Sequence, residues 1–594
     1  MKKFFAVFMT LVLIIGLVAC TNDGKTPVDE GKNNIKDGTY KGVGKGKGGD
    51  IAVEVTIKDD TITDIKVLEQ NETPGYETAM DTLTDEIIST NGVEVDMVSG
   101  CTLTSIGFLE AVKNALESAG ATPEMLKKVE NEAKVSPKED VTETHEVVVI
   151  GAGGAGLSAA IEAKAAGADV IVLEKMPLAG GNTLISGAEY AAPNNWLQKQ
   201  EGIEDSTELF VQDMLKGGDY ANEEALVRVV AENALEGAEW LRDEVGVTWE
   251  DELMFFGGHS VKRSLIPLGA SGKEIITKQV AKAESMDIPI LYNTKATKLI
   301  TDESGAVIGV EAESDEANYT FNTTKGVIIA SGGFGSNLEM RMKYNPEIDE
   351  NILSTNTVGS TGDGIIMAED IGASLVGMEH IQTYPICDPL TGTLLYFDDA
   401  RLYGHTVIVN KEGKRFVEEL GRRDEMSMAI KAQTGHVCYE LVDQNGYDLS
   451  KLEENHKSEI EYLYNNDLLV KADTLEEAAA FFEIDAEELK ATVERYNSYV
   501  AEGKDPEFNK RSLPSTIEKA PFYILKAAPA VHHTMGGIRI NTEAQVLDVD
   551  GNIIKGLYAA GEVTGGIHGT NRLGSDALAD ITVFGRIAGK NAAK

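Results

Sequence analysis

Two segments of this chain are suited to receive phosphates. Gly151-Ala152-Gly153-Gly154-Ala155-Gly156 follows an apolar strand at 146–150 and precedes a helical stretch at 157–166, and a second strand at 168–175 carries the acid Glu174 near its end. This is a dinucleotide fingerprint: Gly151 permits the tight turn, Gly153 lets a pyrophosphate approach, Gly156 allows close helix packing and Glu174 accepts ribose hydroxyls. The fingerprint does not choose between FAD and NAD. The second segment, Ser99-Gly100-Cys101-Thr102-Leu103-Thr104-Ser105, is a hydroxyl-rich, glycine-relaxed turn at a helix start. Free backbone N–H groups there suit a phosphate, although an ordinary N-capped helix uses the same residues. His532-His533, before Thr534-Met535-Gly536-Gly537, is by residue type either a metal fragment or a packed pair, and Arg422-Arg423 reads equally as two surface cations.

The elements around these segments fall into blocks. After a polar tether at 21–36, two alternating runs at 51–57 and 61–67 read as half-buried strands, and 106–119 has helical spacing. Strands first and helix last make a small α+β domain over 37–120. A charged, glycine-free stretch at 121–144 reads as a helical or extended linker. From 145 onward, apolar strands ending in glycine loops recur: Ala179-Gly180-Gly181-Asn182-Thr183, Ile328-Ile329-Ala330-Ser331-Gly332-Gly333-Phe334, Gly362-Asp363-Gly364 and Ala559-Ala560-Gly561-Glu562-Val563-Thr564-Gly565-Gly566.

Composition bounds the partners. With 97 acidic against 54 basic residues the net charge is −43, which repels nucleic-acid backbones. Cys20, Cys101, Cys387 and Cys438 show neither CxxC nor CxxCH spacing, so no zinc site, disulfide framework or c-type haem is expected. Lys2 and Lys3 precede an apolar run at 4–18, then Ala19 and Cys20; this is a secretion signal, shorter than the roughly 20 residues a membrane helix needs.

Four resemblances build on these residues. Leu17-Val18-Ala19-Cys20 resembles a bacterial lipobox, which implies lipidation of Cys20 after removal of 1–20 and a body held outside the cytoplasmic membrane. Asp96-Met97-Val98-Ser99-Gly100-Cys101-Thr102, with the Thr73-Pro74-Gly75-Tyr76-Glu77 loop, resembles the flavinylation motif of FMN-binding domains, with Cys101 where Ala is usual. That implies FMN joined to Thr102 through a phosphoester, with Ser99 and Gly100 beside it, a flavin transferase to attach it, and a membrane-bound donor (quinol or an NADH dehydrogenase system) to reduce it. The glycine loops together resemble the fumarate reductase and succinate dehydrogenase flavoprotein superfamily from about 145 to the end, especially the flavocytochrome c type of periplasmic fumarate reductase. At some positions the chain is closer to the urocanate reductases. The implied fold is α/β: a Rossmann-like FAD-binding domain at 145–371 and 528–594, with an inserted α+β capping domain at 372–527. Implied contacts to non-covalent FAD are Gly151, Gly153, Ala155, Gly156, Glu174, Asn182, Thr183, Gly187, Ala296, Asp363, His533, Glu562 and Ala577.

The resemblance also implies an active site. Arg572 matches the arginine that clamps a substrate carboxylate, and His532 its partner. Arg423 matches the arginine that gives a proton to carbon opposite the hydride. An arginine is a poor acid and needs a relay, for which Asp398 and Arg401 offer the family's spacing, with Asp in place of Glu and one inserted residue; the alternative alignment puts Leu402 at the arginine position. Fumarate reductases hold the second carboxylate with a His where this chain has Tyr384. Tyr384 with Asp399, or Asp398, resembles instead the pair with which urocanate reductases hold an imidazole. The expectation is an electron relay that reduces the C=C bond of an α,β-unsaturated carboxylate, urocanate first, with fumarate, an aryl acrylate or a non-catalytic electron carrier as alternatives. Finally, Ser575-Asp576-Ala577 replaces the family's Gly-Asn-Ala, and a charged Asp there would disfavour anionic reduced flavin.

Overall fold

A computed structural model of the chain describes residues 35–46, 49–70, 72, 77–95, 97, 102–122 and 138–594. Cys20, Ser99 and Gly100 lie outside the described residues.

Three antiparallel strands come first: β1 (Gly38–Lys45), β2 (Asp50–Lys58) and β3 (Thr61–Glu69), in that spatial order. The alternation in β2 buries Ile51, Val53, Val55 and Ile57. Two helices, α1 (Glu77–Thr90) and α2 (Thr102–Ser118), pack on this sheet, so Thr102 is the residue that opens α2. α2 lies almost backbone to backbone on β1: a Cβ on Gly44 would stand 2.1 Å from the Gly107 carbonyl oxygen. Below the helix start, the buried Thr104 hydroxyl donates to Glu72.

The next strand, β4 (Glu139–Ile150), begins inside the stretch read as linker. Its polar first half alternates because it pairs in parallel with β6 (Ala317–Ile329), Glu139 opposite Ala317, while half-exposed to water. The apolar second half enters the core and leads through the glycine turn into α3 (Gly154–Ala165) and β5 (Val170–Leu173). β5, β4 and β6 run parallel and side by side, and Ile553–Ala559 adds a further parallel strand to the end of β6. Covered on both faces, these segments read as continuous apolar runs rather than alternations.

An inserted domain interrupts this fold. It contains β7 (Ile381–Cys387), β8 (Val407–Val409), α4 (Arg423–Lys431), β9 (Cys438–Asp443) and β10 (Phe522–Thr534). β9 lies between β8 and β10, antiparallel to both, with Cys438 and Val442 in one apolar cluster and Tyr439 and Leu441 in another. β10 pairs first with β9 and then, from Ala528, with β7. The boundary expected at 527 therefore falls inside one continuous strand, which carries the inserted domain's core directly into His532 and His533.

The chain closes with α5 (Asp576–Ala592), packed along α3. A Cβ on Gly589 would lie 2.2 Å from the Ala159 carbonyl oxygen, and the buried Arg586 Nε donates to Glu162 at 2.6 Å across the contact. No helix among the described residues is long and apolar enough to cross a membrane.

Candidate active site

The glycine turn after β4 forms a cradle. Gly151 has φ 103°, and a Cβ on Gly156 would sit 1.9 Å from the Gly151 carbonyl oxygen, so the first turn of α3 rests on the turn itself. At Gly153 the nearest atom to an added Cβ is the Gly180 carbonyl oxygen at 3.7 Å, which leaves space above the α3 N-terminus for a phosphate. Ala155 is buried in that first turn. Glu174 follows β5, buried, its two oxygens accepting from the Ala152 and Met176 amides at 2.8 Å each. Burial raises its pKa, and each oxygen keeps a lone pair for a hydroxyl.

Several of the other sequence-predicted cofactor residues meet the cradle or one another. Asn182 donates to Asn356 at 2.6 Å and to Glu562 at 3.0 Å while accepting from the Thr357 amide. Thr183 stands 3.0 Å from where a Gly154 Cβ would be. Asp363 is engaged by Lys175 Nζ at 2.5 Å, whose ammonium holds the carboxyl below its usual range against the opposing effect of burial. Ala296 is buried in Lys295–Thr301, and Ala577 lies in the first turn of α5. His533 packs edge-on against His568, with Glu562 3.8 Å away, and burial with nearby Arg572 drives its pKa well below the usual range. The buried Ser331 hydroxyl beside this opening has no hydrogen-bond partner among the described residues. Glycine cradle, acid at the strand end and orphaned hydroxyl together fit an FAD.

Asp576 stands where a charged acid was feared. It is 1% exposed at the start of α5, with His259 Nε2 3.4 Å from Oδ1, and burial pushes its pKa well above the usual range, which disfavours the charged form. Ser575 takes the φ of 70° that glycine would adopt freely.

Next to the cradle, β10, α4 and the segment before α5 converge. Arg572 is buried, its Nε without a partner and Nη1 on the Leu573 carbonyl at 3.3 Å. Burial, then neighbouring Arg423, pushes its pKa down to about 10. His532 Nδ1 lies 3.0 Å from Thr355 Oγ1, and its ring faces Tyr384 with centroids 5.4 Å apart. Burial and the two arginines keep this imidazole neutral. Arg423, the first residue of α4, places its guanidinium 4.8 Å above the Tyr384 ring. Neither Arg423 nor Arg572 forms an ion pair among the described residues.

The structure separates the two aspartates. The Tyr384 hydroxyl donates to Asp398 Oδ2 at 2.7 Å, and Arg401 grips both Asp398 oxygens at 2.5 Å. Asp399 does not join this group; its carboxylate meets His456 Nε2 at 2.9 Å. The two residues straddle the junction of a 3₁₀ turn (Tyr396–Asp398) and a short helix (Asp399–Leu402), where successive side chains point about a third of a turn apart. Asp398 faces Tyr384 and Arg401, and Asp399 turns toward His456 within electrostatic reach of Glu189.

Sequence reading missed Glu189. This partly buried acid, two residues past Gly187, lies within the electrostatic reach of Arg423, Asp399 and Arg572, and burial raises its pKa. A Cβ on Gly187 would come within 2.5 Å of its carboxylate. Nothing in the surrounding sequence marks it. Also unmarked is a clasp between the domains: Arg422 Nη1 and Nη2 donate to the two oxygens of Asp219 at 2.9 and 3.1 Å, and Asp219 accepts from the Thr570 hydroxyl, two residues before Arg572.

The family described as FAD binding domain matches residues 146–578. The chain belongs to this flavoprotein family. A second match, FMN-binding domain, spans residues 46–117, so this flavoprotein carries sites for both flavins and is a flavin oxidoreductase. It is 48% identical to a urocanate reductase of Eggerthella lenta, over 93% of this chain and 92% of the relative. It is 40% identical to a probable fumarate reductase of Shewanella frigidimarina, over 76% of this chain and 75% of that one. The structure of a flavocytochrome c3 fumarate reductase in its open conformation is similar with a TM-score of 0.67 and 40% identity, covering 76% of this flavoprotein and 78% of that chain.

Proposed function

We propose that this flavoprotein reduces the C=C bond of an α,β-unsaturated carboxylate, with urocanate as the substrate. One observation carries the choice of substrate. The ring of Tyr384 faces His532, and Glu189 lies within electrostatic reach of Arg423, Asp399 and Arg572, so two acids stand on this side of the arginines. Carboxylates there repel the second carboxylate of a dicarboxylic acid and accept the N–H of an imidazole, while the ring face of Tyr384 suits a planar heterocycle. The relative named urocanate reductase supports the same reading.

The side chains divide the work. Arg572, with an unpartnered Nε, takes the substrate carboxylate through a charge-assisted fork. His532, held at Nδ1 by Thr355 and neutral, has Nε2 left to support charge that develops at that carboxylate. Bound FAD supplies the hydride. Arg423 gives an Nη proton to the neighbouring carbon, and the loss is made good through the relay of Tyr384, Asp398 and Arg401, whose hydrogen bonds are already in place. We further propose that Thr102 carries FMN, attached by a flavin transferase, which takes electrons from a membrane-bound donor, and that lipidated Cys20 holds the exported chain at the membrane; the motifs around these residues support both.

The test is anaerobic oxidation of reduced viologen by the FMN-loaded protein with urocanate, fumarate and cinnamate-type acids in parallel. Fast oxidation with urocanate is expected. Fumarate alone would overturn the Tyr384 argument, an aryl acrylate would redirect it, and no turnover would leave an electron carrier.

A further inference from the structure

The turn that follows Arg572 is strained and closely held. Ser575 takes φ 70°, a left-handed conformation that costs energy for a residue with a side chain and persists only where neighbours impose it. Hydrogen bonds from three neighbours do so. The Ala191 amide donates to the Ser575 carbonyl at 3.2 Å, the Ser264 and Ser575 hydroxyls meet at 2.7 Å, and His259 Nε2 lies 2.9 Å from the Gly574 carbonyl oxygen. On the other side of the clamp, Gln382 donates to the Arg572 carbonyl at 2.8 Å. Packing is equally tight, since a Cβ on Gly574 would lie 2.4 Å from the Phe256 ring and one on Gly258 2.5 Å from the Leu573 side chain.

His259 is 6% exposed, and a buried network decides which of its nitrogens carries the proton. Arg263, 0% exposed, places Nη1 3.1 Å from His259 Nδ1. A guanidinium only donates, so Nδ1 is the acceptor and the proton of the neutral ring sits on Nε2, aimed at Gly574. Arg263 is itself fixed: Nε and Nη2 grip the two oxygens of Asp205 at 3.0 and 2.9 Å, and Nη1 also reaches Asp213 at 2.6 Å. Asp213, on the helix Thr207–Gly217, accepts in addition from the Ser260 amide and hydroxyl, next to His259 in the chain. Asp576 Oδ1 stands 3.4 Å from His259 Nε2 without a hydrogen bond to it. Burial, then Arg263, pushes the His259 pKa down to about 4, in keeping with a neutral ring.

We propose that His259 is a positioning residue of the carboxylate clamp: its Nε2–H holds the Gly574 carbonyl and so fixes the strained turn from which Arg572 reaches the substrate. This rests on the reading of Arg572 as that clamp. Arg263, with Asp205 and Asp213 behind it, serves the same end by selecting the tautomer that can donate. The Arg572 main chain is then held on both sides, by Gln382 at its own carbonyl and by His259 two residues on, which leaves the guanidinium aimed before substrate arrives.

His259→Leu removes the donor. In the flavin-loaded enzyme, with reduced viologen as donor and urocanate as substrate, KM is expected to rise about tenfold, with kcat within about threefold and FAD content unchanged. His259→Gln, whose side-chain amide donates from the Nε2 position, should recover most of that loss. Ser575→Gly added to the Leu variant removes the strain that the bond opposes, and should recover part of it. A Leu variant with wild-type KM, a Gln variant as impaired as the Leu variant, or no recovery with Ser575→Gly overturns the proposal. Nitrogen-15 spectra of the histidine-labelled wild type give a second readout, with the His259 signal assigned by its loss in the Gln variant. A neutral ring protonated on Nε2 is expected between about pH 5 and 8, and a doubly protonated ring or a proton on Nδ1 overturns the proposal. If the wild type reduces no enoate, or Arg572→Lys leaves KM unchanged, the reading of Arg572 falls, and the nitrogen spectra still decide whether His259 holds the turn.

Discussion

Arg423 lies close enough to Arg572 to disfavour its charge, and neither forms an ion pair among the described residues. A substrate carboxylate supplies the missing negative charge, which gives binding a large electrostatic component. Because the Arg572 pKa is lowered to about 10, the guanidinium is charged below that pH and loses its proton above it. The kcat/KM for the enoate should therefore decline as pH rises through about 10, a limb that Arg572→Lys would displace, and a pH series of initial rates checks this. Arg423→Lys should lower kcat by at least about a thousandfold while the bound FAD spectrum is unchanged; retained turnover would remove Arg423 as the acid. At this scale the sequence was only partly readable. Arg423, Arg572 and His532 sit in motifs, but the choice between Asp398 and Asp399 depends on helical phase at a 3₁₀ junction, and Glu189 reaches the site through folding alone.

At the scale of elements, each fingerprint glycine answers to a neighbour close in sequence, which is why the turn after β4 could be read directly. A methyl group at Gly156 would overlap the Gly151 carbonyl oxygen at 1.9 Å, backbone against backbone, with no side chain able to yield. Gly156→Ala should push α3 off the sheet, cost about 1–3 kcal/mol and release FAD. Flavin content after gel filtration and the thermal midpoint measure both. β9 shows why other elements were less legible. Its two acids, Glu440 and Asp443, fall on opposite faces as if either face could be wet, yet β8 and β10 flank it and apolar clusters cover both faces. Alternation reports exposure only where one face is wet. The polar opening of β4 misled in the opposite direction, because pairing with β6, not burial, makes it a strand.

Across the whole molecule, function depends on parts that belong to different domains. Thr102→Ala should remove the flavin that survives denaturation and precipitation while leaving FAD in place, and persistence of bound FMN would move the attachment site. The inserted domain meets the FAD-binding fold through Arg422 and Asp219, immediately beside Arg423 and close to Arg572. Both side chains of that clasp are more than a third exposed, so it contributes at most about 1 kcal/mol, and salt at physiological strength screens it over roughly 8 Å. Such a contact cannot lock anything; it works as a timer. It stands beside other contacts across the boundary, Lys431 on Asp349 at 2.8 Å and Gln382 on Asn571 at 2.6 Å, and if the inserted domain lifts to release a bound acid, about 1 kcal/mol at the clasp corresponds to a few-fold in dwell time. Raising the salt should shorten that dwell, increasing kcat and KM together by about twofold to fivefold if opening limits the rate, while Arg422→Gln should be fast and insensitive to salt from the outset. In a cell the small ions of the surrounding fluid, as much as the substrate, would then govern the tempo of the enzyme.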